Sequence, residues 1–414
     1  MKRFARIFVS PHRLAGVLSI ALLASPTHAA VTVTPDEMLQ KSQWMRQNFR
    51  DASHLPPFSF TYDGNASADI LPSWQRSDKN IKLDDQRIQH VTTWTRDGLQ
   101  VRCVAVDYND FPMVEWTVYL KNISATNSTF LLQDIEALNT TFSRSHDGEF
   151  VLHGNKGDST TADSYEPYHL TLTPSSVTNF SPLSFSGKSS CGPAGWPYYN
   201  LQMPGGGIIL AIGWPGQWAS SFTRDAGNNV RIVAGQEYTH LILKPGEEIR
   251  TPLIAILFWK GNDLVRAQNL WRRWYIAHEI PRINGVPTQP AEQIQVAGNS
   301  TAAVDAFLKV GIKPDVCWRD AGGSYTWYPN STGPYKGEDS WLNTGTWDVD
   351  PKRYPDGFKP FSDWIHARGM QFLLWFEPER VGDPGSWLGV NHPEWLLPGE
   401  FHGDKATTAN DAEL

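Results

Sequence analysis

The hydrophobic period of this chain changes once, near residue 263, and that change constrains the fold more than any other feature. Before it the period is two: Val114, Trp116, Val118 and Leu120 alternate with Glu115, Thr117, Tyr119 and Lys121, the mark of a strand with one buried face. Residues 101–108, 208–214, 238–243 and 253–259 read as further strands, separated by Gly, Pro, Asn and Asp clusters. No crossover long enough to make such a sheet parallel intervenes, so residues 30–285 are expected to form a large antiparallel β-sandwich. The run Gly205-Gly206-Gly207 leads into an apolar strand and not into a helix, which marks a turn and not a phosphate loop. From Asp263 onward Leu264, Ala267, Leu270, Trp271, Trp274 and Tyr275 recur at three and four residues. With Asn262 or Asp263 as cap, that spacing predicts a helix over about 263–280.

Pro281, Pro287 and Pro290 mark a boundary, and the pattern then alternates between strand and helix. An apolar stretch at 294–297 precedes a helix capped by Ser300 that carries Val304, Phe307 and Leu308 and stops at Gly311. The strand Val316-Cys317-Trp318 follows. A helix with Phe361, Trp364 and Ile365 stops at Gly369 and leads into a strand at 372–376. Glycine at a helix end followed at once by an apolar strand is the αβ joint of a parallel α/β domain, so 286–414 reads as the beginning of a barrel.

The termini and cysteines bound the setting. Lys2, Arg3, Arg6 and Arg13, an apolar run at 14–24 and Thr27-His28-Ala29 form a Sec-type signal peptide over 1–29. The mature chain is expected to be exported, periplasmic or secreted, with no membrane association after cleavage. Export permits disulfides, but only Cys103, Cys191 and Cys317 are present, with Cys103 and Cys191 the pair considered. A net charge of −7 offers no basic footprint for nucleic acid. The 18 tryptophans suit sugar faces and large β cores alike.

In parallel α/β folds chemistry gathers beyond the carboxyl ends of the strands. Arg319 and Asp320 stand there after 316–318, and Glu377, Pro378, Glu379 and Arg380 after 372–376. The connection 321–356 is far longer than an ordinary βα loop and holds Tyr325, Trp327, Tyr328, Trp341 and Trp347. Carboxylates that accept from hydroxyls beside aromatic faces suit a saccharide. The bland alternative pairs Glu377 with Arg380 and leaves the aromatics to pack the loop. No His, Cys and carboxylate cluster has metal-ligand spacing, no cofactor is implied, and His366 reads as a surface residue.

The segments VCWRDAGG, GTWDVDPKRYPDGFKPFSDWIHARGMQFLLWFEPERV and NHPEWLL resemble the melibiase-type α-galactosidases of glycoside hydrolase family 36. PPFSFTYDG, LPSW, DFPMVEWTVYLKN, SSCGPAGWPYYN and AIGWPGQW resemble the N-terminal segments of the same family, in the same order. The resemblance implies a multidomain protein: an N-terminal β-supersandwich, a (β/α)8 TIM barrel, here incomplete, and a small C-terminal β-domain, often in homo-oligomers. It implies retaining hydrolysis of terminal α-galactosides in an oligosaccharide substrate, without metal or cofactor.

Retention needs a nucleophile and an acid/base carboxyl about 5 to 5.5 Å apart. In the family these Asp residues follow the fourth and sixth barrel strands. Only three strand candidates, near 294, 316 and 372, precede Leu414, so the resemblance places both catalytic residues beyond it and none in this chain. Asp320 matches the second Asp of the family's sugar-binding pair, with Arg319 in the place of the first. Trp347 matches a sugar-contacting Trp, Glu377 is expected to orient the site, and Gly298 and Asn299 fall near the place of another Trp. The alternatives are a catalytically inactive carbohydrate-binding fragment, a hydrolase using Asp320 and Glu377 as its pair, or a related hydrolase of different sugar specificity.

Overall fold

The structure, a computed structural model, describes residues 31–144, 147–184, 188–295, 301–320, 327–328, 345, 347–376, 380–381, 386–398 and 412–413. Two compact units divide between Ile280 and Pro281.

The first unit holds two antiparallel sheets. One has seven strands, running Ser176–Phe180, Trp218–Arg224, Asn229–Gln236, Leu132–Ser143, Ser59–Tyr62 and Asn65–Ala66, with His240–Leu241 also paired to Leu132–Ser143. The other has ten, and its centre is Leu99–Tyr108, Met113–Asn122, Leu253–Lys260 and Gly206–Gly213. Alternation does what the sequence led one to expect: Trp116, Val118 and Leu120 of the ten-stranded sheet and Phe142, Phe222 and Ile232 of the other share one buried core. The indole of Trp116 donates to the Ala137 carbonyl at 2.8 Å, so its one polar atom is satisfied across that core. Of the glycine triplet only Gly205 is in a turn, and Gly206 and Gly207 open the strand Gly206–Gly213. Gly205 takes a φ of 79°, and a Cβ on Gly207 would meet the Trp259 indole and the Leu201 carbonyl at 2.5 Å.

One expectation needs correction, and the question left open at Cys103 and Cys191 is answered. Only His240–Leu241 of residues 238–243 is strand. Tyr238 sits in the left-handed region at φ 59°, and Thr239 is drawn off by hydrogen bonds from Asp134 N and Ile135 N. Cys103 and Cys191 do not pair; both are free thiols, as is Cys317. Cys103 points into the core between the sheets, whereas Cys191 lies in a loop that bridges to Asp158.

The helix Leu264–Trp274, capped by Asp263 through Arg266 N, packs Ala267, Leu270 and Trp274 on the outer face of the ten-stranded sheet. It continues as a wider turn over Tyr275–Glu279. An N-terminal helix, Pro35–Met45, opens with a capping box that Thr34-Pro-Asp-Glu37 announces but that our reading passed over. Glu37 is fully buried. Its carboxylate accepts from Thr34 N at 2.8 Å, Lys260 N at 3.0 Å and the Arg266 guanidinium at 2.6 and 3.0 Å. Deeper in, Lys41 donates to Asp107 at 2.5 Å and to the Tyr108 carbonyl at 2.7 Å.

The second unit holds three parallel strands in the order Gln293–Gln295, Val316–Arg319 and Gln371–Leu374. The helices Ala302–Lys309 and Lys359–His366 supply Val304, Phe361 and Ile365 to the core beside Ile294 and Cys317. Gly311 at φ 80° and Gly369 at φ 68° follow these helices. Ser300 lies outside the described residues, and the helix is preceded by Thr301 without a side-chain cap.

Carboxylates set the pH response of the first unit. Burial outweighs all else at Glu115 and Glu136, with the nearby Glu279 and Asp134 charges adding to it, and each is pushed up to about 7 from an ordinary 4.5. The folded state then holds protons that the unfolded chain releases, so stability falls as pH rises from about 4.5 to about 7. Glu37 behaves oppositely. Burial would raise it, but the Arg266 guanidinium and the Thr34 and Lys260 amides more than offset this and hold it below 4.5, so its contribution is lost as pH falls below that value. Urea midpoints measured across pH should therefore peak near about pH 5. Glu115→Gln should flatten the decline above the peak and leave the acid side unchanged; an unaltered upper limb would show that another group causes it.

Candidate saccharide site

The parallel register sets the direction of each side chain. Cys317 lies in the core with Val304, Phe361 and Ile365, on the helix side of the sheet. Arg319, two residues on, follows it: it is fully buried, with its guanidinium 5.0 Å from the Phe361 ring centre and 5.5 Å from that of Tyr354. Nη1 donates to the Tyr354 hydroxyl at 3.1 Å, whereas Nε and Nη2 have no hydrogen-bond partner among the described residues. Burial lowers its pKa, with Tyr354 opposing. Period two sends Trp318 to the opposite face, and half-buried Asp320 stands just past the strand's carboxyl end.

The described aromatics of the long connection pack on residues at the carboxyl end of these strands. Trp375, just past Gln371–Leu374, donates its backbone N–H to the Arg319 carbonyl at 3.0 Å. The Trp327 indole donates to the Trp375 carbonyl at 3.1 Å. Trp347 packs 4.8 Å from Tyr328, 5.6 Å from both Trp327 and Phe376, and 6.1 Å from Trp375, ring centre to ring centre. These contacts fix the Trp347 ring, and its remaining surface lines a cleft of about 430 Å³ with Gly345, Asp348, Trp387 and Leu388. Trp387, 57% exposed, was missed by our reading. It opens the helix Trp387–Asn391, whose cap Ser386 accepts from Gly389 N at 3.2 Å, and Ser386 before an apolar run was the available signal.

Glu377 lies outside the described residues, as do Glu379, Tyr325, Trp341, Gly298 and Asn299. Among the described residues no group of three or more His, Cys, Asp or Glu is placed to hold a metal. His366 is exposed.

A buried guanidinium with two unmatched donors costs stability that an apolar side chain of similar length would not. Arg319→Met should keep the urea unfolding free energy within about 1 kcal/mol of the parent. Arg319→Asp, which restores the family's residue, should lose about 3 kcal/mol or more by burying a lone carboxylate against Phe361. Equal effects from both would mean that Arg319 is paired where we see no partner.

Comparison with known proteins places this geometry. The Melibiase family model matches residues 333–412. Alpha-galactosidase 2 of Pediococcus pentosaceus is 26% identical over 223 residues, 51% of this chain and 29% of that protein. Alpha-galactosidase 2 of Hypocrea jecorina is 42% identical over 60 residues, 13% of this chain and 8% of that protein. Among solved structures, the α-galactosidase of Lactobacillus brevis superposes with a TM-score of 0.63 at 18% identity, over 87% of this chain and 49% of that one. A variant of the family 36 α-galactosidase AgaA of Geobacillus stearothermophilus in complex with raffinose gives 0.61 at 15% identity, over 87% and 51%. The chain spans about half the length of these two solved relatives and under a third of the curated ones. Family model, curated relatives and fold point the same way: over the segments they match, the chain is similar to the melibiase-type α-galactosidases of glycoside hydrolase family 36.

Proposed function

We propose that this chain is the N-terminal supersandwich and the first strands of a (β/α)8 barrel of an exported α-galactosidase, and that it supplies the part of the site that reads the sugar. The observation that supports this is the order along the parallel strands: Asp320 directly follows Val316–Arg319, and among the described residues Trp347 packs on Tyr328 and on Phe376, which lies two positions past Gln371–Leu374. A carboxylate there accepts from two sugar hydroxyls, and an indole covers the apolar C–H face of a pyranose ring. The substrate class is the terminal α-galactoside of a galacto-oligosaccharide, and the raffinose complex of a relative supports that choice. Retaining hydrolysis would use two carboxyl groups about 5 to 5.5 Å apart, and this reading assigns neither role to Asp320 or Glu377. Residues 1–29 would direct export, and a homo-oligomer would follow the family's habit.

The test uses the protein as expressed. Galactose and melibiose are titrated by calorimetry, and release of nitrophenol from p-nitrophenyl α-galactoside is followed in parallel. Asp320→Asn should weaken galactose binding about tenfold or more by removing a charged acceptor, with far-UV circular dichroism unchanged. Trp347→Ala should do the same to melibiose. Binding without hydrolysis would leave the sugar-reading assignment standing and remove the enzyme from it. A parent protein that neither binds nor cleaves any galactoside would overturn both.

A further inference from the structure

A second cleft, of about 520 Å³, lies wholly within the first unit, between the hairpin Val151–Asn155 and Pro167–Thr171 and the helix Leu264–Trp274. Trp196, Trp271 and Tyr275 present rings to it, and Asn155, Gln268 and Arg272 present polar tips. It shares Asn155, Tyr198 and Gln268 with an adjoining hollow of about 300 Å³ that His153 and His169 edge, so the two form one groove.

The rings are held before any ligand arrives. Trp271 meets Tyr198 at 5.2 Å and 72° and Trp274 at 4.8 Å. Trp196 meets Tyr165 at 5.4 Å and 80°. The polar groups are half satisfied in a consistent way. Tyr198 donates to Gln268 Oε1 at 2.6 Å, which leaves the Gln268 amide as a donor. Asn155 donates its amide to the Tyr165 carbonyl at 2.9 Å, which leaves Oδ1 as an acceptor. Arg272 is exposed and adds a planar set of donors.

We propose that this groove is a second saccharide site, separate from Asp320 and Trp347, that takes a neutral pyranose ring. A lipid chain would leave the amides and the guanidinium unmatched. A polyanion would need more than the single Arg272 cation. A sugar ring offers a C–H face to Trp271 and Tyr275 and hydroxyls that both donate and accept, which matches a lining of fixed rings, one amide donor and one amide acceptor. The assignment does not rest on hydrolysis, because none of these residues belongs to the parallel-strand unit.

The probes are melibiose, raffinose and maltose, titrated into the protein as expressed while tryptophan fluorescence and heat are followed. The variants are Tyr275→Ala, Arg272→Ala and Trp347→Ala. Tyr275 is 47% exposed and Arg272 is exposed, so neither substitution opens the core. The expected result is a maltose-binding event whose Kd rises about tenfold in Tyr275→Ala and Arg272→Ala, the loss of one ring or cation contact, and that persists in Trp347→Ala, while the α-galactosides show two events of which Trp347→Ala weakens only the other. The proposal is overturned if no sugar binds, if both groove variants bind like the parent, or if binding disappears only in Trp347→Ala, which would instead favour the barrel site. It also fails if Tyr275→Ala turns a self-associated protein into a monomer with sugar binding intact, for then a second copy occupies the groove. Loss of the barrel reading alone would show in Asp320→Asn and leave this result untouched.

Discussion

The first unit depends on one buried carboxylate. Glu37 has no water to solvate it, and it is stable there only because the Thr34 amide, the Lys260 amide and the Arg266 guanidinium converge on its two oxygens. Those partners come from three segments: the cap of the first helix, the end of a central strand and the first turn of the helix that leads out of the unit. Lys41 and Asp107 repeat the device one turn further along. The first helix is thereby tied to the sheet by paired charges at both ends of its buried stripe, and a core of aromatic side chains can close around Trp44, Phe49 and Trp116.

Much of this was legible and some was not, for a physical reason that recurs. Alternation over 114–121 and the three-four spacing after Asp263 are local properties, and they gave the strand Met113–Asn122 and the helix Leu264–Trp274 nearly to the residue. Asp263 as cap and the turn at Gly205 were local too. Glu37 and Arg266 are 229 residues apart, and no local pattern announces that they meet. The same holds for 238–243, where composition suits a strand but Thr239 instead accepts from the neighbouring strand's backbone. Asp320 was readable as a strand-end residue and Trp347 as part of the long connection after it, but the burial of Arg319 beside Tyr354 and Phe361 was not. Trp387 went unread because its cleft is assembled from segments more than forty positions apart.

Aromatic residues pack in two ways in this chain. Trp116, Trp218 and Trp259 are fully enclosed, and their indole N–H groups each find an oxygen. Trp347 and Trp271 are enclosed on one side only, braced by rings that meet them edge-on or at a tilt. A braced and partly open indole loses little freedom when a ring settles on it, which is why such residues serve recognition better than freely rotating ones.

The place of Leu253–Lys260 in the sheet bears on how the chain is made. This strand lies between Met113–Asn122 and Gly206–Gly213, in the middle of ten, yet it is the last long one to be synthesised. Until it emerges, the two halves of the sheet have no common neighbour, and each shows an open edge of apolar strand to other nascent chains. Assembly therefore waits on late, long-range pairing, the slow kind. A growing chain of this design needs protection from aggregation until that strand has emerged, and the clasp of Arg266 on Glu37 can close only after it.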